Sequence, residues 1–175
     1  MNDMVRLIEP MIPALRRYAR ALLRDRSAAD DLVQDCLERA VGRWHQRRAD
    51  GDPRAWIFTI LHNLATSHHR RLSVRPAHET LEATDESAFA LAPAQEQAMQ
   101  YRELLAAVAR LPEDQRSVLL LVSVEQLSYS EAANVLDVPI GTVMSRLSRA
   151  RERLARELSD DARRDGARPQ LRRVK

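Results

Sequence analysis

Five arginines, Arg146, Arg149, Arg151, Arg153 and Arg156, fall within eleven consecutive positions, and only Glu152 opposes them inside that window. A guanidinium is a planar fork of donors that fits phosphate oxygens and the edge of guanine. The segment around them has the pattern of a helix-turn-helix. Ser128 and Glu131 form a capping box that opens a short helix, Tyr129 to Leu136. Asp137 to Gly141 is a turn, and Thr142 caps a last helix with the apolar stripe Val143, Leu147, Ala150 and Leu154. Ala132 and Ala133 are small enough for two helices to cross closely, and Val135, Leu136, Val138, Ile140, Val143 and Leu147 supply a shared core. The last helix opens on a polar face of Thr142, Ser145, Arg146 and Arg149, in the place where such a motif reads base edges while flanking basic groups hold phosphates. A plain helical hairpin with a charged outer face is the competing reading, and the density of arginine weighs against it.

Two further surfaces carry chemistry. Thr59, Asn63, Thr66 and Arg70 recur at helical steps opposite Trp56, Ile60 and Leu64, with Arg47, Arg48 and Arg54 in and just after the preceding loop. Asn and Thr can bond bases, and Arg can hold phosphate or stack. By itself this is an ordinary wet helix face. Trp44 and Trp56 are large enough to stack on bases, but both sit at core spacing. Asp31, Gln34, Asp35 and Glu38 gather on one side of another helix, a compact acidic face suited to a basic protein partner rather than to DNA.

Catalytic readings are weak. His62, His68 and His69 lie close in sequence, but adjacent residues do not face one way on a helix and no carboxylate or Cys completes a ligand set. There is no phosphate loop and no nucleophile elbow. The lone Cys36 falls on a buried stripe, where a packed thiol is the expectation. No enzyme activity, metal or cofactor is expected.

The elements that must position these groups are helical. The 175 residues are 45% hydrophobic and 30% charged, with four Gly and 4% aromatic residues, a poor composition for a sandwich or barrel. No apolar run approaches a membrane span and no secretory signal is evident, so a cytoplasmic protein without membrane insertion is expected. Residues 1–75 carry 14 Arg against 9 acids, residues 76–100 carry 5 acids and no base, residues 101–158 balance at 8 against 8, and residues 159–175 carry 6 bases against 3 acids. The reading is all-α: one helical block over 8–74, a flexible acidic linker over 75–96, a second helical block over 97–158, and a flexible basic tail over 159–175. In the first block Pro10 and Pro13 suit a first turn, and Ser27 starts a helix burying Val33, Cys36, Leu37, Ala40, Val41 and Trp44. Residues 45–51 break the pattern as a loop. Asp52 and Pro53 then open a helix burying Trp56, Ile57, Ile60, Leu61, Leu64 and Leu72.

Two strings, in this order, resemble a known family. Asp30-Asp31-Leu32-Val33-Gln34-Asp35, followed by Pro53-Arg54-Ala55-Trp56 through Asn63, looks like the first conserved domain of bacterial sigma factors. Leu111-Pro112-Glu113-Asp114-Gln115-Arg116, then Leu127 to Ala133, Pro139 to Val143, Ser145-Arg146 and Ala150-Arg151, looks like their helix-turn-helix domain. With these two domains and a short linker, the chain resembles the extracytoplasmic-function (ECF) sigma factors over about 8–74 and 97–158. The resemblance implies that Asp31, Leu32, Gln34, Asp35 and Glu38 dock on core RNA polymerase. It implies that Arg47, Arg48, Asn63 and Arg70 engage the opened strand of the minus-ten element. It places Thr142, Met144, Ser145, Arg146, Ser148, Arg149 and Arg153 on the duplex of the minus-thirty-five element. Such proteins direct polymerase to promoters, help melt them, and are held in check by an anti-sigma factor. Three positions depart from the family: Arg47 where the base-capturing loop often has an aromatic residue, Met144 where an Arg often precedes the Ser-Arg pair, and Ser148 where a bulkier residue is common. The alternatives are a sigma-like decoy that sequesters an anti-sigma factor, and a helix-turn-helix repressor that binds duplex DNA as a dimer.

Overall fold

The computed structural model describes residues 2–47, 51–74 and 95–166, and among them every regular element is helical. Helix α1 (Asn2–Ile8) runs through a 3₁₀ turn (Glu9–Met11) into α2 (Ile12–Leu23). Pro10 and Pro13 each sit at a first-turn position, where the missing N–H leaves no bond unmade. Arg24, with φ 57°, ends α2 in the left-handed region. Helix α3 (Arg26–Gly42) is capped by Asp25, whose carboxylate accepts from the Ala28 N–H at 3.0 Å. The expected start at Ser27 is therefore two residues late: the stronger cap stands upstream, and Ser27 lies in the first turn.

A 3₁₀ turn (Trp44–Gln46) leads toward α4 (Pro53–Val74), which Asp52 caps by accepting from the N–H groups of Arg54 and Ala55. Leu15, Tyr18, Ala19 and Leu22 of α2, Ala29, Leu32, Val33, Cys36 and Ala40 of α3, and Ile57, Phe58, Leu61, Leu64 and Ala65 of α4 are buried. Of the other expected core residues, Leu37, Trp44, Trp56 and Ile60 are only partly buried, and two are exposed. Val41 is 52% exposed and Leu72 45% exposed, because the packed arc of α3 is narrower than its apolar run and α4 carries more apolar length than it buries. Phe58, absent from the expected stripe, is fully buried against Tyr18 in an edge-to-face pair with centroids 5.4 Å apart. The Cys36 thiol points at the Ile57 carbonyl, and burial pushes its pKa up to about 12, so it is an inert packed thiol.

The C-terminal half holds α5 (Gln95–Arg110), α6 (Glu113–Leu119), a π-helical turn (Leu120–Val124), α7 (Tyr129–Leu136) and α8 (Ile140–Gly166). The expected linker falls on residues 75–94, outside the described residues, and on the first turn of α5. The capping box at Ser128 and Glu131 is present in both directions: Glu131 N–H donates to the serine Oγ at 3.2 Å and Ser128 N–H donates to the glutamate Oε2 at 2.7 Å. Asp137, with φ 52°, closes α7. Helix α8 begins at Ile140, directly after Pro139, so Thr142 lies in its first turn with its N–H on the Pro139 carbonyl rather than acting as the cap. Val143, Leu147 and Ala150 are buried, while Ile140, expected in the core, is 48% exposed. The expected tail is partly helical: α8 continues to Gly166, and residues 167–175 lie outside the described residues.

The two helical regions pack on one another. Helix α4 rests on α2 and α3 and also on α7, and α2 meets α6. Arg116, 5% exposed, donates to the Ala109 carbonyl at the end of α5 and to the Leu22 carbonyl at the end of α2, so one guanidinium satisfies carbonyls that two helix termini leave open. The Tyr18 hydroxyl lies 3.1 Å from His62 Nδ1. Burial holds the His62 pKa below its ordinary 6.5, partly opposed by Glu113.

Caps and buried histidines both bear on stability. Ser128→Ala removes the cap that starts α7 and should cost about 1 kcal/mol in urea unfolding. Because the folded pKa of His62 lies below the unfolded one, the unfolded chain takes up this proton first as pH falls. The contribution of His62 is complete above pH 6.5 and is lost as pH falls through the lowered folded value, at no more than about 1.4 kcal/mol per pH unit. His68, lowered chiefly by burial and next by His69, acts in the same direction. The urea midpoint of the wild type should fall as pH drops below 6.5, and His62→Gln should flatten that fall.

Candidate nucleic-acid interface

Burying Val143, Leu147 and Ala150 against α6 and α7 turns the opposite side of α8 outward. Met144, Ser145, Ser148, Arg149 and Arg153 are exposed, and Thr142 is half-buried. Ser145 bonds its hydroxyl to the Thr142 carbonyl, and the Arg149 guanidinium folds back on the Ser145 carbonyl and hydroxyl at 3.2 Å each. These bonds hold Arg149 along the exposed face. Met144, 51% exposed, stands one turn after Ile140, so an apolar step lies beside the polar pair. Serine and arginine can bond base edges, and an apolar step can meet thymine methyls.

Arg146 stands apart from this face. Its Nε is 3.2 Å from Asp114 Oδ2 on α6, and its side chain is about a quarter exposed. Arg153 pairs with Glu157, which also accepts from Arg110 of α5 at 2.7 Å. The Arg110 hydrogen bond, ahead of that from Arg153, holds the Glu157 carboxyl below the usual range.

In the first half, Asp31, Gln34, Asp35 and Glu38 share the exposed side of α3, and Gln34 bonds Glu38 at 3.2 Å. Leu32, expected to dock with them, is 4% exposed and belongs to the core beneath this face, because the same helical turn that exposes Asp31 and Asp35 carries Leu32 inward. Asp30 is drawn away by Arg20 at 3.0 Å.

On α4, Asn63 and Arg70 are exposed and Thr59 and Thr66 half-buried. Thr59 spends its hydroxyl on the Ala55 carbonyl. Trp44 and Trp56 are partly buried and form an edge-to-face pair with centroids 5.9 Å apart. The Arg47 guanidinium stacks on Trp44 at 4.9 Å and donates to the Gly51 carbonyl, which ties the loop to the head of α4. Arg48 lies outside the described residues.

One group of charges gives no signal in the sequence. Glu125, 1% exposed, accepts two bonds from Arg17 of α2, at 2.8 and 2.9 Å, and one from Arg54 of α4 at 3.2 Å. No periodic pattern links these three positions, and only the packing of the two halves brings them together.

The described residues contain no helix long and apolar enough to cross a membrane. Residues 8–62 match the family model described as the Sigma2 domain of PhyR, and residues 101–154 match Sigma-70, region 4. The chain is 35% identical to the ECF RNA polymerase sigma factor EcfG of Rhodopseudomonas palustris, over 88% of this chain and 84% of that protein. It is 34% identical to the ECF RNA polymerase sigma factor SigC of Mycobacterium tuberculosis, over 81% and 76%. Among solved structures it resembles the sigma factor RpoE of Bartonella quintana in complex with the anti-sigma factor NepR, with 31% identity and a TM-score of 0.76 over 91% of this chain and 98% of that one. With relatives of this identity matched along most of their length, the chain belongs to the ECF family of RNA polymerase sigma factors.

Proposed function

We propose that this chain binds core RNA polymerase, directs it to specific promoters and assists their melting, acting in the cytoplasm as a non-catalytic initiation factor. The observation that carries the proposal is the presence, in one chain, of two exposed helix faces of different chemistry. The α3 face of Asp31, Gln34, Asp35 and Glu38 is acidic, and the α8 face of Met144, Ser145, Ser148 and Arg149 offers serine, arginine and an apolar step. A duplex-binding protein alone has no task for the first face, and a protein-binding module alone has none for the second.

Residues 8–74 are assigned to polymerase docking and the minus-ten element, and residues 97–158 to the minus-thirty-five element, joined through 75–96. The acidic α3 face docks on the polymerase. Arg47, Arg48, Asn63 and Arg70 serve the opened strand, with Trp44 and Trp56 as the wall of the loop that would hold an extruded base. On α8 the exposed set reads the major groove. Arg146 shares its charge with Asp114 and is assigned to positioning, with Arg153 toward phosphate. An anti-sigma factor is the expected inhibitor, supported by the likeness to an RpoE bound to one. A second reading, a decoy that sequesters such a factor, is favoured by the match of residues 8–62 to a PhyR domain. It predicts neither polymerase binding nor promoter use.

Run-off transcription with purified core polymerase on fragments of the source genome decides between them. New start sites that require this chain, sharing two upstream elements, are expected, and absence of both start sites and polymerase binding would overturn the proposal. Asp31→Arg should abolish polymerase binding in a pull-down while leaving helicity unchanged, and retained affinity would remove the role of the α3 face. Arg149→Ala should weaken minus-thirty-five recognition by about 1–3 kcal/mol if it reads a base. An equal loss on scrambled sequences, measured by competition with intact holoenzyme, would reassign it to phosphate.

A further inference from the structure

Glu125 is the most deeply buried carboxylate among the described residues, and both of its cationic partners come from the other half of the chain. Its position depends on a local irregularity. The π-helical turn at Leu120–Val124 bonds the Glu125 N–H back to the Leu120 carbonyl, and Gln126 comes next in the left-handed region with φ 58°. A π turn inserts a residue into the helical register and re-aims the side chains after it. Here the residue re-aimed is Glu125. On the facing side, Arg17 presents Nε and a terminal nitrogen as a bidentate fork, and Arg54, lying over the Phe58 ring at 5.9 Å, closes from α4. Their side chains stay 31% and 38% exposed, while the acid between them is 1% exposed.

We propose that Arg17 and Arg54 form an anion site on the N-terminal half, that the chain fills it with its own Glu125 carboxylate while the halves are packed together, and that a phosphodiester of the opened promoter strand fills it once they part. The proposal deepens the promoter-binding reading and rests on it. The fork that grips a carboxylate bidentately grips a phosphate in the same way. The choice of nucleic acid over an acidic protein comes from the neighbourhood. Arg54 sits in the first turn of α4, close in sequence to the Trp44–Trp56 pair and the Arg47 stacked on it. A cationic groove with aromatic platforms is the pattern that binds single strands. Closure then has two effects at once. It holds the halves together, and it covers two of the cations that the strand needs.

The test uses the full-length free chain, with no polymerase and no promoter, so its outcome is separate from that of run-off transcription. Small-angle X-ray scattering reads the separation of the halves. Fluorescence anisotropy reads binding of a labelled mixed-sequence single-stranded oligonucleotide. Glu125→Gln is expected to expand the chain and tighten binding about tenfold. The triple variant Glu125→Gln, Arg17→Gln, Arg54→Gln should be equally expanded but bind no better than wild type. The salt slope of log affinity should be steeper in Glu125→Gln than in the triple variant by about 0.7, as expected for one single-strand phosphate contact. Glu125→Asp, one methylene short of the fork, is an independent opening variant and should behave as Glu125→Gln does. Chains that stay compact and gain no affinity would overturn the latch. Expansion with a gain that survives loss of both arginines would overturn the site, and preferential displacement of the oligonucleotide by polyglutamate of equal charge would reassign it to an acidic protein.

Discussion

The structure turns on a carboxylate taken out of water. Burying Glu125 would cost several kcal/mol if it were left alone, and the cost is met only because Arg17 and Arg54 arrive from the other half with three donors between them. Such a pair adds little net stability over an apolar contact, but it is intolerant of misplacement. Parting the halves by an ångström or two would leave a charge half solvated and half paired. The interface is therefore held in one register by a charge, with Arg116 on the Leu22 carbonyl as a second polar tie across the same seam.

Helix α4 bears the consequences of that arrangement. It supplies Ile57, Phe58, Leu61, Leu64 and Ala65 to buried positions, so it packs over a wide arc of its circumference and lends a core to α2 and α3 while also meeting α7. The part left to solvent is a strip containing Asn63 and Arg70. Helix α8 is built in the opposite way, with a narrow buried stripe and a broad free face.

Local signals in the sequence are the ones that local hydrogen bonds realise. The capping box at Ser128, the turn at Asp137 and the stripe of Val143, Leu147 and Ala150 are all legible without the structure. The acidic face of α3 is legible too, except that Leu32 turns inward between Asp31 and Asp35. Expectation and structure part where a distant partner decides the outcome. Ile140 looks like core but is exposed at the first position of α8. Arg146 looks like a base reader, yet Asp114 of another helix takes part of its charge. Glu125 carries no signal in the sequence, and only the packing of α2 and α4 on the C-terminal half shows what it holds.

The central claim is that one chain is packed shut when free and is spread across polymerase and promoter when working. Double electron–electron resonance tests this directly. Spin labels at Glu9 and Arg151, both exposed, are introduced in a Cys36→Ala background. The account predicts a single short distance in the free chain, replaced by a longer one when core polymerase is added. The same short distance in the polymerase complex would contradict it.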